Sequence, residues 1–367
     1  MLSPGSRIER YEVVRVLGHG GMAVVALARH TELDSLHALK VLHMLNPGIA
    51  QRMIQEGRVQ ASIDHPNVVG VRDVIRANGM PCLVMEYVDG PSLNGLLYTF
   101  ELTDGRAHSL ASQLFEGMAA AHAAGLVHRD LKPHNILLGL TENGPVLKIA
   151  DFGLAKVRAD MGQSLGNFRT RSGQMLGTPS YMAPEQFNDA KHVDERADIF
   201  SIGCLLYEML TGLPPFGSDA LVEIYSRSSS GQYVPLDSVR PATPRSWVRA
   251  VAAALQAQPD DRPSEIGGGG PLAKARQLPC LRDVRRRNRR SRKHAVDESS
   301  PGSGLQQDRP ALGDHHRIED DRDAPDETKR LDDGVDDLHC AEHADLHCVD
   351  ADVLTDRRDL VADKAPG

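Results

Sequence analysis

Aromatic residues are scarce in this chain and unevenly placed. Seven Tyr, seven Phe and one Trp make up 4% of 367 residues, and all of them lie at or before Trp247. Aromatic side chains supply much of the area that a domain core buries, so residues 248–367 hold little material for one. Cysteine is sparse too. Cys82, Cys204, Cys280, Cys340 and Cys348 are too few and too scattered for a disulfide framework, which suits a reducing compartment. There is no run of about 18 uncharged apolar residues, the length a membrane-spanning helix needs. The nearest stretch, Ile199–Leu210, is short, contains Glu208 and reads as a buried helix. The opening MLSPGSRIERY lacks the basic-then-apolar pattern of a signal peptide. A net charge of −8 gives no general reason to expect nucleic-acid binding. The remaining composition, 41% hydrophobic and 25% charged, is ordinary for a globular protein and excludes collagen-like, coiled-coil and wholly disordered chains. The expectation is a cytoplasmic protein with no membrane span.

The N-terminal part alternates with period two. Tyr11–Leu17, Val24–Arg29 and His37–Leu42 read as strands, 48–62 as a helix, and 68–76 and 81–88 as two more strands after the turn His65-Pro66-Asn67. From about Ser92 the period becomes helical, with helices expected at Ser109–Ala124, 194–212 and 244–256 and a loop-rich stretch at 151–190. A small β-rich lobe with one helix therefore joins a larger helical lobe through a hinge near Tyr87–Gly90.

The character changes after Arg262-Pro263. Gly267–Gly270 opposes both helix and strand. Residues 272–293 hold ten Lys/Arg against one acid, and 21 Asp/Glu face eight Lys/Arg from His294 onward. Blocks of like charge with low hydrophobicity predict disorder, so the boundary is set near 266. Arg285–Lys293 has the charge to meet nucleic acid or an anionic membrane, but no interleaved aromatic supports base stacking, and it reads as a solvated run. His339, Cys340, His343, His347 and Cys348 offer metal donors, and the three His would share a helix face. No apolar stripe exists there to bury such a site.

Chemistry concentrates in a few strings. Leu17-Gly18-His19-Gly20-Gly21-Met22-Ala23-Val24-Val25 lies between two strands, where glycines let backbone amides approach a polyphosphate; taken alone, such a turn is weak evidence. Lys40, flanked by apolar residues in Ala38-Leu39-Lys40-Val41-Leu42, is an edge residue or a cation aimed at an anion. Glu56 on the following helix is its prospective partner. The strongest signal is His128-Arg129-Asp130-Leu131-Lys132-Pro133-His134-Asn135, followed after fifteen residues by Asp151-Phe152-Gly153. An acid, a lysine and an amide within six residues, then a second acid before a glycine, suit phosphoryl transfer, which needs positioning and charge neutralisation more than covalent catalysis. One carboxylate orients a hydroxyl, while the other joins the amide in holding Mg²⁺.

On these strings the chain resembles the eukaryotic-like Ser/Thr protein kinases of bacteria. Other parts of the resemblance are present in order: Met85-Glu86-Tyr87-Val88, similar to a gatekeeper and adenine-binding hinge; Gly177-Thr178-Pro179-Ser180-Tyr181-Met182-Ala183-Pro184-Glu185, similar to a substrate-facing loop ending in A-P-E; Asp198, similar to the buried aspartate that anchors the catalytic loop; and Arg262, similar to the arginine that pairs with Glu185. The resemblance implies an α+β bilobal protein-kinase fold over residues 8–266, with an N-lobe at 8–88 and a C-lobe at 89–266; the residues after it, 267–367, are expected to form a disordered tail.

It further implies ATP as co-substrate and Mg²⁺ or Mn²⁺ as cofactor. Asp130 would be the base, Lys132 would stabilise the transferring group, and Asn135 and Asp151 would ligate the metal. Lys40 would contact the α- and β-phosphates and pair with Glu56. Leu17, Val25, Ala38, Met85, Glu86, Val88 and Leu137 would surround the adenine, and amides of Gly18, Gly20 and Gly21 would cover the phosphates. Lys132 and the Gly177-Thr178-Pro179 string resemble the Ser/Thr branch rather than the Tyr branch, so the expected partners are proteins bearing Ser/Thr hydroxyls. Arg129 resembles an arginine that binds a phosphorylated loop, which makes Thr170 and Ser172, beside Arg169 and Arg171, candidate autophosphorylation sites.

Ala23 departs from the third glycine of G-x-G-x-x-G. If that position needs φ > 0, the loop tip is stiffer and ATP binding weaker. Relatives close the lobe with a further amphipathic helix after Arg262-Pro263; here the glycine run and the Arg/Asp/His-rich text resemble an out-of-frame reading of a GC-rich gene. A pseudokinase scaffold and a small-molecule kinase are the alternatives. The full set Lys40, Glu56, Asp130, Asn135 and Asp151 speaks against the first, and the A-P-E segment against the second.

Overall fold

The structure is a computed structural model and describes residues 2–20, 23–42, 47–142, 144–152, 179–189, 192–218, 220–266, 270 and 272. Gly21, Thr170, Ser172, the basic run and the His/Cys cluster all lie outside the described residues.

The first lobe is an antiparallel six-stranded sheet in the order β1-β2-β3-β4-β6-β5. Its strands are β1 (Arg7–Ile8), β2 (Tyr11–His19), β3 (Ala23–His30), β4 (Leu36–Leu42), β5 (Val71–Ala77) and β6 (Met80–Glu86), with helix α1 (Pro47–Ala61) between β4 and β5. Successive side chains alternate across a strand, and this sorts the apolar residues into two clusters. Leu39, Val41, Cys82 and Val84 join Tyr11, Val13 and Ile75 on one face. Ala38, Leu42, Leu83 and Met85 join Ile49 and Met53 of α1 on the other. Lys40, between Leu39 and Val41, therefore points to the face of Ala38 and Leu42, and this decides between the two readings of that lysine.

Ala23 corrects an expectation. It is not among the residues with positive φ; it opens β3, pairs with Leu42 and is buried in the α1-side cluster. A methyl group fits there without backbone strain.

The second lobe is helical: α2 (Leu93–Thr99), α3 (Asp104–Ala123), α4 (Pro184–Asp189), α5 (Glu195–Thr211), α6 (Leu221–Ser230), α7 (Leu236–Val239) and α8 (Arg245–Ala254), with one hairpin, β7 (Ile136–Thr141) and β8 (Gly144–Ile149). Helix α3 starts earlier than its Ala/Leu run suggests, because the Thr103 side chain accepts from the Arg106 amide and caps it. Its buried positions Ala107, Leu110, Ala111, Leu114, Phe115 and Met118 recur at the 3–4 spacing of a one-sided stripe. By contrast, every residue of α5 from Ala197 to Leu210 is buried, as expected of a helix apolar all round. Gly212, at φ 79, ends it and donates to the Glu208 carbonyl at 2.8 Å. The C-lobe core continues past the expected boundary at 266: Ile266 and Leu272 are both part of it.

The hinge between the lobes is a close backbone approach. A Cβ on Gly90 would meet the Leu138 carbonyl oxygen at 1.9 Å, so only glycine fits, and Leu138 N donates to the Pro91 carbonyl at 2.9 Å.

Candidate active site

The loop after α3 is held by one buried carboxylate. Asp198, on the first turns of α5 and 0% exposed, accepts from His128 N at 2.8 Å, Arg129 N at 2.7 Å and His122 Nε2 at 2.9 Å. These bonds hold Arg129 at φ 66, a conformation that costs a non-glycine residue about 1–3 kcal/mol. His128 Nδ1 accepts from Asp130 N at 3.3 Å while its Nε2 meets the Ala150 carbonyl at 2.9 Å. One imidazole thus joins the Asp130 loop to the strand end that carries Asp151, and Phe152 packs on the same ring at 4.7 Å.

Asp130, Lys132 and Asn135 form one polar group. Lys132 Nζ lies 3.2 and 3.1 Å from the two Asp130 carboxylate oxygens. Asn135 Nδ2 donates to the Asp130 carbonyl at 2.7 Å and approaches Asp130 Oδ2 at 3.5 Å. With its NH₂ so engaged, Asn135 has its amide oxygen left to accept or ligate. Ala150 N donates to the Asn135 carbonyl at 2.8 Å, which brings Asp151 beside Asn135.

Across the cleft, Lys40 Nζ donates to Asp151 Oδ1 at 2.7 Å. The Lys40 side chain is 5% exposed and that of Asp151 33%. Burial works against the Asp151 charge, but the Lys40 ammonium, by charge and hydrogen bond, and His128 hold its carboxyl below the ordinary aspartate range. The Lys40–Glu56 ion pair expected from sequence is not formed. Glu56, half-buried on α1, makes other contacts, and Lys40 is taken by Asp151.

Of the residues expected around adenine, all but Glu86 come together from both lobes in one apolar cluster. Leu17, Val25, Ala38, Met85 and Val88 meet Leu137 of β7 and Ala150. At the open side, Gly18 pairs with Val25 across β2 and β3, and Gly20 N donates to the Ala23 carbonyl at 2.8 Å.

The Ala183-Pro184-Glu185 segment is tied to the core by Arg262, whose side chain is 0% exposed. It donates to Glu185 Oε1 and Oε2 at 2.6 and 2.8 Å and to the carbonyls of Gln256, Arg196 and Ala257 at 2.7, 3.0 and 2.9 Å. Every guanidinium N–H is thereby used. Gln186, not singled out from sequence, donates to the Arg129 carbonyl at 2.8 Å and accepts from Ala183 N at 3.0 Å, joining this segment to the Asp130 loop. A buried glutamine after Ala183-Pro184-Glu185 carries no sequence signal that separates it from a solvated one.

Glu208 was legible only as a charge inside an apolar run. It is 8% exposed and accepts from Tyr181 Oη at 2.7 Å. Burial pushes its carboxyl up to about 7 from 4.5, against the Tyr181 hydrogen bond, which lowers it. The folded chain thus keeps this proton to higher pH than the unfolded chain. The resulting stabilisation is fully present below pH 4.5 and lost as pH rises through 7, on the order of 3 kcal/mol over that window. Glu208→Gln keeps an acceptor for Tyr181 and removes the titration. Denaturant midpoints at pH 5 and pH 8 should therefore differ less for this variant than for the wild type; an unchanged difference would refute the assignment.

Comparison with known proteins places most of the chain in one family. A family model described as the protein kinase domain matches residues 11–266. Serine/threonine-protein kinase pkn2 of Myxococcus xanthus is 39% identical over 251 residues, 67% of this chain and 30% of its own length. Serine/threonine-protein kinase PknB of Mycobacterium tuberculosis is 35% identical over 275 residues, 71% of this chain and 42% of its own length. This chain thus matches less than half the length of either relative. Among solved structures, the kinase domain of M. tuberculosis PknI, crystallised as a double mutant, aligns with a TM-score of 0.57 at 25% identity, covering 75% of this chain and 98% of that one.

Proposed function

The chain belongs to the protein kinase domain family, and on that premise we propose that it transfers the γ-phosphoryl group of ATP to Ser and Thr hydroxyls of proteins with Mg²⁺ as cofactor. The observation that carries the reading is the convergence of Lys40, Asp130, Lys132, Asn135 and Asp151 at the mouth of one apolar slot.

The residues fit a hard divalent cation. Asn135 has its amide oxygen free of the NH₂ contacts, and Asp151 is held ionised with Oδ2 beyond its Lys40 contact; Mg²⁺ prefers such oxygen ligands. When bound there it would neutralise phosphate charge. The apolar slot would take the adenine. Val88 is 9% exposed, and among the described residues neither its amide nor its carbonyl has a backbone partner, which suits a hinge that meets a base edge.

Lys40 now neutralises Asp151; with ATP in the cleft its ammonium would turn to the α- and β-phosphates and release that carboxylate, and the approach of Glu56 would then restore a counter-charge. Asp130 accepts the proton of the substrate hydroxyl as its oxygen bonds to phosphorus and the bond to the β–γ bridging oxygen breaks, and ADP leaves with that electron pair. Lys132 spreads the charge of the group in transit.

Autophosphorylation at 164–172 is part of the proposal. It is supported by Arg129 Nε, a buried donor without a partner among the described residues, which a phosphate would satisfy. No observation favours the pseudokinase.

Incubating the full chain with γ-labelled ATP, Mg²⁺ and a basic protein should label Ser and Thr, and Lys40→Met should reduce labelling by about 10²-fold or more. Labelling of Tyr only, or no labelling by the wild type, would overturn the reading. Peptide mapping of the labelled chain places or removes the sites at 164–172.

A further inference from the structure

The nucleotide slot has two walls from different lobes, the hinge strand ending at Glu86 and the β7 floor residue Leu137. Their spacing is fixed at one end by backbone, through Gly90 against Leu138 and Leu138 N on the Pro91 carbonyl. At the other end it is fixed by a side chain that nothing above assigns. Lys148 on β8 lies 2.7 Å from Glu86 Oε1 and 2.9 Å from Oε2.

The placement follows from the hairpin register. Leu147 and Ile149 are in the C-lobe core, so alternation turns Lys148 to the opposite face. It pairs directly across from Leu137, and cross-strand partners share a face. Lys148 therefore rises beside the slot floor and reaches the hinge carboxylate. Glu86 is committed from its other side as well: its amide donates to the Gly70 carbonyl at 2.8 Å and its Oε2 accepts from Gly70 N at 3.3 Å. The Gly70 segment is in turn bonded to β8, with Val69 N on the Ile149 carbonyl and Ile149 N on the Asn67 carbonyl, both at 2.9 Å. The side chains of Lys148 and Glu86 are 18% and 25% exposed, sheltered enough that solvent only partly screens the pair.

The geometry points to Lys148 as a positioning residue for nucleotide binding: its ion pair with Glu86 holds the hinge at the height above Leu137 that an adenine ring requires. This rests on the slot being a nucleotide site. Lys148 acts through Glu86 and the floor, not on the phosphates, so its effect belongs to the base and not to the metal end of the site.

The test measures binding of adenosine, which has no phosphates, and of ATP with Mg²⁺ to the full chain by titration calorimetry, with steady-state kinetics alongside. Lys148→Met should weaken both ligands by the same factor, about fivefold, and raise KM for ATP similarly with kcat changed by less than about twofold. Lys148→Arg should restore both affinities. Glu86→Gln, which keeps the bond to Gly70, should reproduce the loss and serves if Lys148→Met does not fold. Wild-type affinity for adenosine in folded Lys148→Met and Glu86→Gln, whatever happens to the melting temperature, would overturn the inference. So would a loss confined to ATP with Mg²⁺. A wild type that binds neither ligand would instead overturn the nucleotide-site reading beneath it; a wild type that binds both but transfers no label would overturn the kinase reading and leave the binding comparison intact.

Discussion

Asp198→Ala is expected to destabilise the C-lobe by about 3 kcal/mol or more and to abolish phosphoryl transfer in whatever fraction remains folded. The carboxylate is wholly buried and accepts from two backbone amides and one imidazole. Alanine leaves all three donors in the core without a partner or a route to water, and each such donor costs about 1–3 kcal/mol. The loss is large against a total stability of about 5–15 kcal/mol. The same bonds hold Arg129 at positive φ; once they are gone the backbone relaxes and Asp130, the next residue, moves from Lys132 and Asn135. Denaturant melts and label transfer on the same preparation check both halves. A variant within about 1 kcal/mol of the wild type would show that the loop is held by other contacts.

Asp130→Asn separates chemistry from structure. Asparagine matches the carboxylate in shape and can still meet Lys132 through its oxygen, yet it cannot accept the hydroxyl proton. Positioned proton transfer is worth about 10²- to 10⁴-fold, and kcat should fall by that factor. ATP affinity should stay within about threefold, because the slot and the Lys40–Asp151 end are untouched. A fall in ATP affinity with kcat preserved would reassign Asp130 to binding.

Much of this site could be read from the sequence because its residues fall in short strings whose spacing the backbone converts directly into geometry. Alternation in Ala38–Leu42 places Lys40 on the slot face, and the motif order brought Asp130, Asn135 and Asp151 to one place. What could not be read depends on contacts between distant segments. Lys40 meets Asp151 and not Glu56 because the choice is set by how α1 packs on the sheet, which no local pattern encodes. Lys148 and Glu86, 62 positions apart, look from sequence like a solvated lysine and a hinge backbone residue. Glu208 and Gln186 are polar groups whose burial becomes visible only when Tyr181 and Arg129 are placed against them. The expected strain at Ala23 failed for a local reason: the position is already inside β3. The boundary at 266 was drawn from composition, and composition does not reveal that Leu272 reaches back into the core.

The central claim is that Asp130, flanked by Lys132 and Asn135 and facing Asp151, carries a phosphoryl transfer from ATP to a protein hydroxyl. The most direct measurement is single-turnover transfer from γ-labelled ATP to a Ser/Thr-bearing protein, with the wild type and Asp130→Asn purified in parallel and loaded to equal ATP occupancy. The account predicts Mg²⁺-dependent labelling by the wild type and a rate lower by about 10²-fold or more in the variant. Equal rates from the two, or transfer by neither, would contradict it.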